Sequence, residues 1–194
     1  MRRPAPGQLG LFEEGPSLPE GFRHQAALIT PEEEHGLVGR LAELPFTEFR
    51  FGAYLGKRRT VSFGWHYEFG AERLQAAEPF PDFLLPLRDR AAFFAGVPPD
   101  DLQHALVTEY GAGAGIGWHR DKAVFGDVLG ISLLAPCTFR FRRQEREGWK
   151  RASLILEPRS AYLLRGPSRT EWEHSIPAME ALRYSITFRS LRRP

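Results

Sequence analysis

Leu182-Arg183-Tyr184-Ser185-Ile186-Thr187-Phe188-Arg189 is the stretch on which the fold turns. Its even positions carry Leu, Tyr, Ile and Phe, and its odd positions carry Arg, Ser, Thr and Arg. Side chains on a strand alternate between faces, so this is a strand with one apolar face and one polar face bearing two guanidinium groups. An arginine fork matches a carboxylate through two parallel hydrogen bonds, which suits the polar face to a small dicarboxylate. The same pattern also fits an amphipathic edge strand facing water.

Upstream, almost everything after residue 103 reads as strand: 105–110, 116–121, 128–134, 137–142, 152–156, 161–164 and 171–175, then 182–190. Short strands broken by Gly, Pro and polar turns predict a sandwich or jelly roll, not a parallel sheet. The polar run 143–150 reads as a long hairpin tip.

Before residue 103 the periodicity is different. Thr30, Pro31 and Glu33 make a capping box with proline in the first turn, and Leu37, Val38, Leu41 and Leu44 follow at helical spacing until Pro45. A second helix is predicted from about Asp82 to Ala95, with Phe83, Leu84, Leu87, Ala91 and Phe94 inward and Gly96 as the stop. Residues 46–69, rich in Phe, Tyr, Val and Thr, read as strands or hairpins carrying Lys57, Arg58 and Arg59. Helices followed by a β domain give an α+β class: a flexible Gly- and Pro-rich tail over 1–20, an N-terminal region over 21–102 and a β core over 103–194, with 21–194 one structural domain.

The 194 residues are 42% apolar, enough for one sizeable core. The lone Cys137 excludes an internal disulfide and a thiolate zinc cluster, leaving histidine and carboxylate as metal ligands. No apolar run is long enough to span a membrane and the start MRRPAPGQLG lacks a signal-peptide core, so the expectation is a cytoplasmic protein, without a membrane partner and monomeric. A net charge of +2 does not by itself demand a polyanion, although basic residues cluster at 57–59, 140–143, 150–151 and 192–193.

On a strand, Gly117-Trp118-His119-Arg120-Asp121 turns His119 and Asp121 to one face and Trp118 and Arg120 to the other, which favours core packing for Trp118. His174, on a later strand that a jelly roll brings alongside, is the candidate third ligand. Two histidines and a carboxylate on one side of a metal leave positions open, as in non-haem iron(II) oxygenases. The glycine run 111–117 does not fit G-x-G-x-x-G and leads into a strand, which excludes a dinucleotide loop. His119-Arg120-Asp121 also opens like a kinase catalytic loop, but the later Asn and a D-F-G triplet are missing. His24, His35 and His104 have no partner motif and read as structural or exposed.

Together, Tyr110 with Gly111 to Lys122, Ile131-Ser132-Leu133, Leu156 to Ser160, Gly166 to Arg169 leading into His174, and RYSITFR resemble the AlkB family of iron(II) and 2-oxoglutarate dependent dioxygenases from about Phe63 to Arg189. The resemblance implies a double-stranded β-helix with the metal, Fe(II) held by His119, Asp121 and His174, at one mouth, and an N-terminal lid over the substrate. It implies that Arg183 and Tyr110 hold the distal carboxylate of 2-oxoglutarate and that Arg189 lies near the end that chelates iron. Thr108 and Ser185 stand where the family commonly has Asn, and both retain hydrogen-bonding side chains. Ala123 stands where DNA-repair members carry an acidic residue against the damaged base.

The implied reaction consumes O2 and 2-oxoglutarate, yields succinate and carbon dioxide, and hydroxylates a nearby carbon; an N-methyl carbon is then lost as formaldehyde. Alkylated nucleic acid, as in DNA repair, is the first substrate class. Transfer RNA, a protein or a small molecule remain open, as does a cupin-like module that binds metal without turnover. Candidate substrate contacts are Trp65, Tyr67, Lys57, Arg58 and Arg169, although Trp65 and Tyr67 also suit core packing and Arg169 also suits pairing with Glu171 or Glu173.

Overall fold

The computed structural model describes residues 17–51, 54–68 and 73–192; the tail expected over 1–20 lies outside these residues as far as position 16. Pro19 is buried, and the Glu20 carbonyl accepts a hydrogen bond from Ser168 at 2.8 Å. In chain order the elements are β1 (Phe22–Gln25), α1 (Pro31–Ala42), β2 (Thr47–Phe51), β3 (Tyr54–Phe63), β4 (Trp65–Glu68), β5 (Arg73–Ala76), α2 (Leu85–Ala95), β6 (Leu102–Tyr110), β7 (Ile116–His119), β8 (Phe125–Leu133), β9 (Cys137–Glu145), β10 (Gly148–Leu156), β11 (Ala161–Leu164), α3 (Pro167–Thr170), β12 (Glu173–Ile176) and β13 (Arg183–Leu191). The seven-stranded sheet runs β1-β11-β8-β13-β6-β3-β2, the four-stranded sheet runs β10-β9-β12-β7, and β4 and β5 form a separate hairpin.

Both helices form for the reasons visible in the chain. Thr30 caps α1 by accepting from the Glu33 amide, while the Glu33 side chain accepts from the Thr30 amide. A 3-10 turn at Asp82–Leu84 leads into α2, where Pro86 occupies the first turn, and Gly96 ends the helix in the left-handed region at φ 70°. Leu41, Leu84, Leu87 and Ala91 pack on one face of the large sheet against Val107, Leu129, Ile131 and the apolar face of β13. Tyr184, Ile186 and Phe188 are all buried there, and complete burial of such side chains stabilises by about 1.5–3 kcal/mol each.

The edge-strand reading of 182–190 is excluded, because β13 pairs with β6 on one side and β8 on the other. Its polar face looks into the space between the two sheets, where a second cluster of Phe139, Phe141, Leu156, Tyr162 and Trp172 fills the floor. Tyr162 packs against Gly130: a Cβ at residue 130 would sit 2.2 Å from its ring. Leu182, expected on the apolar face, precedes the strand and is exposed.

Other expectations need correction. Phe22–Gln25 forms the edge strand β1, which a segment with one apolar residue did not announce. The long tip expected at 143–150 is a tight hairpin, since β9 runs to Glu145 and β10 restarts at Gly148. The expected strand 116–121 stops at His119, so Asp121 sits in the following loop.

A buried carboxylate ties α1 to the β core. Glu34 accepts from the Leu134 amide and from the Arg159 guanidinium, each at 2.9 Å. Leu134 and Arg159 are the two non-glycine residues with positive φ among those described, at 71° and 67°.

Candidate metal and co-substrate site

His119 and His174 are direct cross-strand partners between β7 and β12, with ring centroids 4.3 Å apart. That register, which the sequence does not display, brings the distant histidine to the HxD motif. One ligand atom from each of His119, Asp121 and His174 lies within 4.8 Å of the others, a spacing that a single ion can bridge.

The neighbours set each group up as a ligand. His119 Nδ1 lies 2.9 Å from the Gly117 carbonyl, so it carries the proton and leaves Nε2 with a free lone pair. Arg189 binds Asp121 Oδ1 through Nε at 2.9 Å and Nη2 at 2.7 Å. This leaves Oδ2 facing His174 Nε2 at 3.6 Å. Burial pushes His174 down to about 3, with the neighbouring His119 acting the same way, and burial also lowers His119. Burial alone would raise Asp121, but the charges of Arg189, His174 and His119 outweigh it and hold the carboxyl well below its usual range. Near neutral pH the trio is therefore two neutral imidazoles and one carboxylate, the protonation state that a divalent metal takes.

His104, expected to be structural or exposed, is buried at this site. Its Nδ1 lies 3.3 Å from Arg189 Nη1, and its ring lies 4.9 Å from Phe125. Since guanidinium only donates, Nδ1 accepts and the ring is neutral, in keeping with a proton affinity lowered well below normal by burial and by Arg189.

At the other end of β13, Arg183 is fully buried. Its Nε donates to Ser132 Oγ at 3.0 Å, its guanidinium lies 5.0 Å from the Tyr110 ring centroid, and Nη1 and Nη2 have no partner among the described residues. An unsatisfied buried guanidinium edge is costly, and a carboxylate in front of it relieves that cost. Thr108, Ser185 and Ser132 are cross-strand partners over β6, β13 and β8, all buried. The sequence reading missed Ser132 and His104; with the register in hand, Ser132 stands beside Ser185 and His104 beside Arg189.

The candidate substrate residues separate into groups. Lys122 Nζ lies 5.3 Å from the Tyr67 ring centroid, and that ring lies 6.5 Å from Phe125, so the β4-β5 hairpin reaches the loop bearing Asp121. Trp65 is half-buried at the base of the same hairpin. Arg58 donates to the Gly115 carbonyl at 3.4 Å and so holds the glycine loop, and Lys57 Nζ lies close to it, 3.4 Å from where a Gly113 Cβ would stand. Arg169 pairs with neither Glu171 nor Glu173; its buried guanidinium donates to the carbonyls of Lys122, Gly126 and Phe125 and fastens the loop that follows Asp121. Trp118 is not in the core: it is half-buried on the outer face of the small sheet under Arg140 and Arg142.

The family model of the 2OG-Fe(II) oxygenase superfamily matches residues 23–189 of this chain. The chain belongs to that superfamily. A curated relative, the Alkylated DNA repair protein ALKBH8 homolog of Arabidopsis thaliana, is 29% identical over 191 residues, and the match covers 85% of this chain and 54% of the relative. The chain thus spans about half the length of that relative. The solved structure of OsALKBH1 aligns with a TM-score of 0.70 at 15% identity, covering 90% of this chain and 98% of that one, so the fold is AlkB-like.

Membership of this dioxygenase superfamily implies Fe(II), 2-oxoglutarate and O2 as the reacting groups. The chain's residues fit these groups, with a candidate three-ligand cluster beside Arg189 and the unpartnered guanidinium edge of Arg183 at the other end of the same face of β13. When bound, they would supply the oxidising power, through oxidative decarboxylation of 2-oxoglutarate to succinate and carbon dioxide. The chain's own part would be to position them: Arg189 holds the Asp121 carboxylate, His104 contacts Arg189 in turn, and an apolar cluster lies beneath. No helix among the described residues is long and apolar enough to cross a membrane.

Proposed function

We propose that this oxygenase hydroxylates alkyl carbons on nucleic acid, releasing formaldehyde where the carbon is an N-methyl group. In this reading His119, Asp121 and His174 bind iron. Arg183, with Tyr110, Thr108 and Ser185, takes the distal carboxylate of 2-oxoglutarate, and Arg189 borders its chelating end. The observation that carries the substrate class is the Tyr67 ring beside Lys122 at the mouth of the ligand cluster. An aromatic face with an adjacent cation suits a base and its phosphate, because every base offers a π-face and every nucleotide a negative charge. Lys57 and Arg58 add positive charge beside the glycine loop that precedes β7. On DNA this is repair chemistry and on transfer RNA it is modification, in either case by a cytoplasmic monomer.

The test supplies Fe(II), 2-oxoglutarate and oxygen together with N-methylated DNA and RNA oligonucleotides, and measures formaldehyde and succinate. Formaldehyde in step with succinate, reduced in Tyr67→Ala, is expected. Succinate formed without any modification of either nucleic acid refutes the substrate assignment and redirects the search to proteins or small molecules.

A further inference from the structure

The outer face of the small sheet carries a stack that the site chemistry does not use. The Arg142 guanidinium lies 4.2 Å from the Trp149 ring centroid and 4.6 Å from that of Trp118, and the Arg140 guanidinium lies 5.1 Å from the Trp118 centroid. Each arginine is also pinned at Nε, Arg140 by Ser175 Oγ at 3.1 Å and Arg142 by Glu173 at 2.6 Å. The stacked rings and the Nε bonds fix both guanidinium planes and leave their Nη edges for an outside acceptor.

Charge on this face is only partly compensated. Arg151 is exposed and stands directly across from Arg142 in the β9-β10 register, a like-charge cross-strand pair that costs stability without an anion nearby. Glu173 is the acid within the stack, against three arginines. Trp118 directly precedes the candidate ligand His119 on edge strand β7, so the face adjoins the metal site through a single strand.

We propose that this face is a track for the phosphodiester backbone of the nucleic acid substrate, with Arg140, Arg142 and Arg151 meeting phosphates beside the base held at the mouth. Pre-oriented forks suit phosphate geometry, and exposed Trp149 adds a ring for stacking. The inference rests on the nucleic-acid reading above and extends it from the base to the flanking strand.

The experiment titrates fluorescein-labelled single-stranded oligonucleotides of mixed sequence, RNA and DNA, into the protein from about 50 to about 200 mM salt. Wild type, Arg140→Gln/Arg151→Gln and Arg140→Lys/Arg151→Lys are compared, each checked by thermal melting. The Gln pair is expected to flatten the slope of log affinity against log salt by about 1.4, two lost phosphate contacts at about 0.7 each, while the Lys pair keeps it. An unchanged slope in the Gln pair, with wild type binding, overturns the track and leaves the substrate reading intact. Equal losses in both pairs mark damage to the sheet and also overturn it. No salt-sensitive binding by wild type removes the track and the nucleic-acid reading together.

Discussion

Arg183 and Arg189 stand at opposite ends of one face of β13, yet their surroundings differ. Arg189 is satisfied by the protein itself, with Asp121 on two of its nitrogens and His104 on a third. Arg183 is anchored at Nε alone, and its two remaining nitrogens are buried without partners among the described residues. The same side chain is thus a brace at one end and, in the proposed function, an open receptor at the other. What separates them is the neighbouring strands: β6 offers Arg189 a histidine and the loop beyond β7 offers it a carboxylate, whereas Arg183 meets the Ser132 hydroxyl and the Tyr110 ring.

The sharpest break removes the brace's carboxylate. Asp121→Ala deletes one candidate ligand and leaves Arg189 buried without its counter-ion; turnover is expected to vanish, together with the visible charge-transfer band of the anaerobic complex with Fe(II) and 2-oxoglutarate. A wild-type-like band in this variant removes Asp121 from the metal site.

Next comes the receptor. Arg183→Ala loses charge-assisted hydrogen bonds to the co-substrate, so KM for 2-oxoglutarate should rise about 10- to 100-fold with a smaller change in kcat, measured by succinate formation. A kcat collapse at unchanged KM reverses the roles given to the two arginines.

His104→Leu takes away the acceptor that steers Arg189. Activity should fall about 10-fold, the usual scale for a partner behind a metal ligand, with partial recovery in His104→Asn, whose short amide can still accept near the Nδ1 position. Equal activities in wild type and His104→Leu show that Asp121 alone fixes Arg189.

The smallest effect is on stability. The folded protein keeps His104 neutral at a pKa below the ordinary 6.5, so between those values the unfolded chain binds a proton that the folded chain lacks. His104 should therefore cost nothing above about pH 6.5 and subtract up to about 1.4 kcal/mol per pH unit as pH falls below it. Urea midpoints of metal-free wild type should drop more steeply with acid than those of His104→Leu, and parallel curves contradict the buried, neutral assignment.

Much of this arrangement was legible because alternation needs no register. The period-two pattern of 182–189 assigned Arg183 and Arg189 to one face, and the HxD spacing together with a later strand histidine selected the three candidate ligands. The pairing of His119 with His174, of Arg183 with Ser132 and of Arg189 with His104 depends on which strands lie side by side and how they are offset, which single-strand periodicity does not encode. Strand ends were similarly opaque: Asp121 reaches the cluster from a loop whose course is set by Arg169 and three carbonyls, an arrangement with no sequence signature. Trp118 misled because a large ring is usually core, and here arginines cover it instead of apolar neighbours.

The Glu34 carboxylate has a consequence reaching beyond its helix. It secures two residues in a backbone region that L side chains occupy at a cost of about 1–3 kcal/mol each, and one of them, Leu134, lies two positions from Ser132, the protein anchor of Arg183. A shortened version of the protein that begins after residue 34 would release both turns, so the placement of the proposed co-substrate receptor depends on a helix outside the candidate site.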